Sequence, residues 1–275
     1  MNLADVTPLV LTYNEAPNLG RCLERLTWAR EVVVVDSFSS DETCEIAARF
    51  PNVRLVQRVF DEHARQWNFG LQETGIESAW VLSLDADYEV TPAVLAEIRG
   101  LKPAAQTSAY EIPFAYRVLG RTLRGTVYRP VAALFRRAAC GYVQDGHTQT
   151  LVVHAGRTER LTARMIHDDR KPLARWLASQ AKYMDLEVPK LLHTPSTQLS
   201  LFDRLRKLIV VAPPAMFVYC LLVQGGVWDG WPGWYYAIQR LVAEAILSLK
   251  LLEARLCPRP AEPASEATDN LRSVP

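Results

Sequence analysis

The sequence predicts an open, doubly wound α/β sheet followed by a helical region, and three observations carry that expectation. Four apolar runs of strand length, "VTPLVLTYN", "EVVVVDS", "NVRLVQRV" and "AWVLSLD", alternate with amphipathic segments over the first hundred residues. Polar clusters close three of those runs: "TYNE" at 12–15, "DSFSSD" at 36–41 and "DAD" at 85–87. Beyond His167 the apolar spacing turns helical.

Each element has its own signal. After the first strand, Pro17 and the periodic Leu19, Cys22, Leu23 and Leu26 mark a helix. The Val-rich "EVVVVDS" has the continuous apolar character of a strand buried on both faces of a parallel sheet. "SSDETCEIAARF" then offers a Ser or Asp N-cap before a helix with Cys44, Ile46, Ala47 and Phe50 turned inward. A helix around 62–73 separates the third and fourth strands. From 109 to 166, alternation broken by turns predicts antiparallel or mixed strands extending the same sheet.

Composition sets the outer bounds. A chain of 275 residues with 49% hydrophobic content suits one large domain or a domain with an appendage. Thirty-one basic against 30 acidic residues give a net charge of +1, so no global electrostatic footprint points to nucleic acid. Cys22, Cys44, Cys140, Cys220 and Cys257 stand at wide spacings with no C-x-x-C pair, which suits a reducing cytoplasm. No basic stretch precedes the short apolar run of "MNLADVTPLVL", which reads as the first strand rather than as a secretion signal.

Doubly wound sheets bind ligands beyond the carboxyl ends of their strands, so the three polar clusters are expected to converge on one crevice. Each also suits a local role: Asn14 and Ser40 as helix caps, Asp36 as a turn residue. Asp85 and Asp87 pose the sharper question, because two carboxylates flanking one alanine repel each other unless they meet solvent or a cation. Magnesium or manganese resolves the repulsion, being typically held by one or two carboxylates plus substrate phosphates. A nucleotide diphosphate would supply the remaining ligands.

The stretches "TYNEAPNLGRCLERL", "EVVVVDSFSSDETCEIA", "RQWNFGL" and "WVLSLDADYEV", in this order, resemble the N-terminal half of the family 2 glycosyltransferases of GT-A fold, closest to the bacterial lipopolysaccharide-core β-glucosyltransferase branch. "GGVWDGWPGWYYA" resembles the GG-x-x-DG-x-x-G segment of that branch. The resemblance implies a GT-A type nucleotide-binding mixed sheet flanked by helices, with a C-terminal amphipathic helical region. It implies that Thr12, Asn14 and Glu15 line a nucleotide pocket, with Asp36 near the uracil and Asp41, Gln66 and Asn68 near the base or phosphates. Asp85 would face the ribose and the Mg2+ or Mn2+ ion, and Asp87 would hold that ion. The implied reaction moves a hexose, glucose by the same likeness, from a UDP-sugar to a lipid-linked glycan such as lipopolysaccharide core, with inversion. On this reading 1–170 is the catalytic domain (nucleotide-sugar half 1–100, acceptor half 101–170), 171–257 a helical region, and 258–275 a disordered tail rich in Pro, Ala and acidic residues.

Inversion calls for a carboxylate base across the cleft from the metal. The branch often places a glutamate after a histidine where this chain has Thr148 after His147, so Asp145 is the nearest candidate base. His147 suits a role in orienting the acceptor or in a turn. In "MIHDDRKPL", His167 suits the metal or the diphosphate and Arg170 a phosphate, while Asp168 and Asp169 suit N-caps of a helix starting near Pro172.

The last third raises the question of core or membrane. The apolar stretch 208–223 is shorter than the roughly 20 residues a spanning helix needs and is interrupted by Pro213 and Pro214. Arg204, Arg206 and Lys207 beside Leu201, Phe202, Leu205 and Leu208 have the composition of a helix lying at an anionic lipid surface. Trp228, Trp231, Trp234, Tyr235 and Tyr236 suit the headgroup region. Peripheral attachment to the cytoplasmic face of the inner membrane is therefore expected, with packing on the domain or a dimer interface as the alternative. A nucleotidyltransferase would want a glycine-rich basic loop where "TYNEAPNLG" is acidic. A polyprenyl-phosphate or protein acceptor, or a non-catalytic nucleotide-sugar-binding protein, are the other readings.

Overall fold

The computed structural model describes residues 1–145 and 148–257, with the side chains of Asp145 and Thr148 outside that description. The first part alternates β1 (Val6–Thr12), α1 (Leu19–Glu24), β2 (Val32–Asp36), α2 (Thr43–Ala48), β3 (Val53–Gln57), α3 (His63–Gln72) and β4 (Trp80–Asp85). Then follow β5 (Tyr88–Glu89), α4 (Pro92–Gly100), β6 (Thr107–Ile112), β7 (Phe114–Val118), β8 (Arg121–Thr122), β9 (Val131–Arg136), β10 (Cys140–Asp145), β11 (Thr148–Val153), β12 (Arg157–Arg160) and β13 (Met165–His167). The rest is helical: α5 (Leu173–His193), α6 (Leu201–Arg206), α7 (Ala212–Val218) and α8 (Trp231–Leu256).

The main sheet is seven-stranded, in the order β12-β6-β9-β4-β1-β2-β3. Strands β4, β1, β2 and β3 are parallel, whereas β9 runs antiparallel to both β4 and β6. The expected mixed α/β sheet is thus present, and its order reverses direction of growth between β1 and β4. Side-chain alternation explains the two layers. Val10, Val32, Val34, Leu82 and Leu84 pack with Leu19, Cys22, Leu23, Val94 and Ile98 on one face. Leu9, Val33, Val35 and Val81 face Ala64, Trp67 and Leu71 on the other. Gly70 lets α3 settle there, because a Cβ at that position would stand 2.8 Å from the Leu9 side chain.

Two expectations need correction. Only β6, β9 and β12 of the 109–166 segment extend the main sheet; β10–β11 forms a separate hairpin, and β5, β13, β7 and β8 form a second small sheet. Neither Asp168 nor Asp169 caps α5, which starts at Leu173 with Pro172 at the N-cap and no side-chain cap. Asp168 meets the neighbouring Arg170 and the distant Arg21 and Arg117, and Asp169 meets the neighbouring Lys171 and the distant Asn18 amide.

The C-terminal helices are packed onto the sheet layer. Met216, Cys220, Leu221, Tyr236 and Ala237 form one cluster with Tyr116 and Val118 of β7 and Leu123. Tyr236 is buried at 2% exposure, with Trp234 and Tyr235 half-buried, so the expected headgroup cluster reduces to Trp228 and Trp231. The "GGVWDGWPG" segment has a packing reason. A Cβ on Gly233 would lie 1.9 Å from the Gly226 carbonyl oxygen, and Gly230 adopts φ 66°. Asp229, buried between them, accepts the Arg124 backbone N–H at 2.9 Å and so fastens this turn to the loop after β8.

Candidate active site

Strand β4 ends at Asp85, and Asp87 follows in the turn to β5. Because β5 pairs with β13, with Tyr88 opposite His167, the two-strand ladder delivers the histidine to the acid pair. His167 Nε2 lies 3.2 Å from Asp87 Oδ2. The imidazole is buried among Tyr88, Phe114, Tyr116 and Tyr128, whose ring centroids lie 4.7–6.0 Å from its own. Asp87 Oδ1 and His167 Nδ1 are both buried without a hydrogen-bond partner.

Electrostatics separate the two acids. Burial, then the neighbouring Asp87 charge, pushes the Asp85 carboxyl up to about 6. Burial also opposes ionisation of Asp87, but His167 outweighs it and holds that carboxyl at about 2. For His167 itself burial favours the neutral ring, and the Asp87 charge reverses this to a net upward shift. Without an added cation, the fold therefore makes the Asp85 charge harder to form than that of Asp87. Among the described residues no three His, Cys, Asp or Glu side chains gather into a metal cage. The two aspartates, with one buried oxygen unsatisfied, are the donor set that magnesium or manganese takes when phosphates supply the other ligands.

Immediately behind lies a different arrangement. Glu89 and Asp168 are buried, yet each is surrounded by guanidinium groups. Glu89 meets Arg21 (3.4 Å), Arg117 (3.5 Å) and Arg25 (3.8 Å). Asp168 meets Arg170 (2.7 Å), Arg117 (3.6 Å) and Arg21 (3.9 Å). Arg170, expected to serve a phosphate, thus has its guanidinium on Asp168.

The carboxyl ends of β1 and β2 carry the remaining predicted residues. Thr12 lies in register with Asp36 and beside the Leu11–Asp85 pair, and its Oγ1 is buried without a partner. Asn14 sits in the left-handed region (φ 54°) and accepts the Ser40 N–H at 2.7 Å. Glu15 pairs with Lys171 at 2.7 Å and accepts from Asn18 Nδ2 at 2.8 Å; burial pushes its carboxyl up to about 7 against the pull of Lys171. Asp36 and Asp41 are committed to their own loops. Asp36 accepts from Ser39 N (2.9 Å), Ser39 Oγ and Gln57 Nε2 (3.2 Å). Asp41 accepts from Thr43 N (3.1 Å), Thr43 Oγ1 and Ala16 N (3.3 Å), which overcomes its burial and lowers its pKa. Gln66 bridges Arg58 (2.7 Å) and Ser37 (3.1 Å). Asn68 makes two 2.9 Å bonds to the Tyr142 backbone and pins β10 to α3. The three clusters therefore share one edge, but much of their polarity is spent on holding loops.

Three participants carried no signal in their local sequence. Asn18 bridges Glu15, Asp169 (3.0 Å), Arg21 (3.0 Å) and the Arg170 N–H (2.9 Å). Lys171 reaches Glu15, and Arg175 donates to the carbonyls of Tyr13 (2.8 Å) and Asn14. All three depend on the start of α5 returning to the β1 loop, about 155 residues away in sequence. His147 lies outside the described residues. Asp145 closes β10, paired in register with Thr148. The preceding Gln144 accepts the Ala64 N–H at 3.2 Å in the first turn of α3.

The model of glycosyl transferase family 2 matches residues 9–138, from β1 through β9 and the turn after it. A lipopolysaccharide core biosynthesis glycosyltransferase, LpsC, of Rhizobium meliloti is 28% identical over 137 residues, covering 48% of each chain. The glycosyltransferase AglE of Haloferax volcanii is 34% identical over 80 residues, covering 27% of this chain and 26% of its own. The chain thus spans about half the length of the first of these relatives and about a quarter of the second. Among solved structures, S. aureus TarS 1-349 in complex with UDP-GlcNAc aligns over 91% of both chains at 15% identity with a TM-score of 0.48. The β1, β2 and β4 edge clusters all lie inside the matched span, so residues 9–138 are the part of this chain that matches glycosyl transferase family 2.

Proposed function

We propose that this protein is a metal-dependent, inverting glycosyltransferase that moves a hexose, glucose in the first instance, from a UDP-sugar to a lipid-linked glycan such as lipopolysaccharide core. The observation that carries this reading is the buried, unsatisfied Asp87 Oδ1 beside Asp85 at the point where sheet order reverses between β1 and β4. Asp85 and Asp87 would hold Mg2+ or Mn2+. His167, whose Nε2 lies 3.2 Å from Asp87 Oδ2, would stand beside them. When bound, the ion stabilises the charge growing on the diphosphate.

The acceptor hydroxyl oxygen bonds to the anomeric carbon on the face opposite the diphosphate, and the anomeric C–O bond breaks with its electron pair leaving on the diphosphate. The hydroxyl proton passes to a carboxylate, for which Asp145 is our assignment, with His147 next to it to orient the acceptor. Elimination supports Asp145. Glu89, Asp168 and Asp169 have cations within 4 Å, which weakens each as a base, and Glu15 is held by Lys171 and Asn18 on the nucleotide side. Thr12, Asn14 and Glu15 line the nucleotide side, while Asp36, Asp41, Gln66 and Asn68 shape the loops that would meet the base and phosphates.

Residues 1–170 form the catalytic domain on this reading, and 171–257 carry the surface that meets the membrane. Among the described residues no helix is long and apolar enough to cross a membrane. Exposed apolar side chains between 201 and 231, including Trp231 (82%), Val223 (70%) and Leu222 (62%), support attachment from one side, at the cytoplasmic face of the inner membrane. The decisive experiment is calorimetric titration with UDP-glucose, UDP-galactose and UDP-N-acetylglucosamine, with and without manganese. Manganese-dependent binding is expected, strongest for one sugar; a folded protein that binds none of the three refutes the donor assignment.

A further inference from the structure

Arg240, in the third turn of α8, has no place in the scheme above. Its guanidinium lies over the rings of Tyr236 (5.6 Å) and Trp176 (5.7 Å), and its Nε is buried without a hydrogen-bond partner. No carboxylate among the described residues pairs with it. The natural partner on its own helix, Glu244 one turn further, is taken by Arg206, which donates to both carboxylate oxygens at 2.6–3.2 Å. Cation–π contact offsets part of the desolvation of a guanidinium, but a half-buried cation with an enclosed, unpartnered Nε and no anion remains costly.

The surroundings lead to the acid pair. Tyr236 packs on Tyr116 (5.0 Å), Tyr116 stacks on Tyr128 (5.1 Å), and both Tyr116 and Tyr128 touch His167 (4.7 and 4.9 Å), which contacts Asp87. One aromatic wall therefore runs from Arg240 to the proposed metal face. Tyr236 is itself fixed there by its hydroxyl, which accepts the Val127 N–H at 3.1 Å.

We propose that Arg240 binds a phosphate oxyanion of a ligand that extends from the Asp85–Asp87 edge along this wall, so that α8 completes the site. This rests on the reading of that edge as a nucleotide-diphosphate site. A guanidinium suits the position better than an ammonium, since it stacks on rings through its face while its edge donates to phosphate oxygens. The phosphate belongs either to the donor diphosphate or to the acceptor.

The test compares wild type with Arg240→Gln and Arg240→Lys by calorimetric titration with UDP and manganese, with uridine, and with inorganic pyrophosphate. If the donor is the source, Arg240→Gln weakens UDP about 10- to 100-fold, Arg240→Lys less, and uridine is unchanged. If the acceptor is the source, UDP binding holds while the pyrophosphate response is lost. Full retention of both responses in Arg240→Gln overturns the proposal, as does a wild type that takes neither probe. Should Arg240→Gln fail to fold, Arg240→Lys carries the same titrations. Asp87→Ala separates the two readings: if it keeps manganese-dependent UDP binding, the metal site is wrong, and the pyrophosphate arm still judges Arg240.

Discussion

Two acid pairs stand one β-turn apart and are treated in opposite ways. Glu89 and Asp168 are almost completely buried and are matched by Arg21, Arg25, Arg117 and Arg170. Just before Glu89 in sequence, Asp87 meets His167 and leaves an oxygen unsatisfied, while Asp85 has the Tyr88 side chain as hydrogen-bond partner. Where negative charge serves the architecture, the chain supplies its own counter-ions; where it withholds them, the site is open to a cation from outside.

The largest expected effect tests that contrast at its centre. Asp87→Ala should abolish manganese-dependent binding of the nucleotide donor while leaving the melting temperature near that of wild type. Asp145→Asn comes next, with turnover reduced by about 100-fold and donor affinity intact, as loss of a general base predicts. Normal turnover in that variant would move the base elsewhere. Glu89→Gln should act on folding instead. It leaves three arginines facing a neutral group, and a loss of about 3 kcal/mol in urea unfolding is expected. That figure is the low end for a broken buried pair, because the arginine side chains keep 22–52% of their surface in solvent. If Glu89→Gln instead matched Asp87→Ala in metal binding with full stability, the two acid pairs would not differ in kind.

The sequence was most legible where structure is local or periodic. Val32 to Val35 read as a two-face buried strand and all four are buried, and the three polar clusters do lie at one sheet edge. What could not be read is long-range pairing. Asp168 and Asp169 had the spacing of helix caps, but Arg21, Arg117 and Asn18, each at least 50 residues away, decide their orientation. Lys171 and Arg175 look like ordinary helix-start cations until the chain returns them to the β1 loop. Tyr236 sits in a run of aromatic residues suited to a lipid headgroup layer, yet Tyr116 and Ala237 enclose it. Composition identifies what a side chain tolerates; only topology decides which neighbour satisfies it.

The smallest effect separates the same two behaviours at the helical end. Arg204 and Arg206 share one short helix and looked equivalent as lipid contacts. Arg206 is half-buried against Glu244 and lies over the Phe202 ring at 4.5 Å, whereas Arg204 is exposed and, among the described residues, bonds to the Leu199 and Thr197 carbonyls. Arg204→Gln should therefore weaken binding to vesicles containing anionic lipid by about fivefold, corresponding to about 1 kcal/mol for one basic residue near such a surface, with no loss of stability. Arg206→Gln should do the reverse, lowering stability because Glu244 is left buried and unpaired, while vesicle affinity of the folded protein stays within twofold. Sedimentation with vesicles at two salt concentrations, paired with a thermal melt, reads both. Because the Arg204 term is electrostatic, its effect should shrink at higher salt while the contribution of Trp231 and Leu222 persists. Equal behaviour of the two variants in both assays would mean that this helix meets no lipid, and that its exposed apolar face serves a protein contact instead.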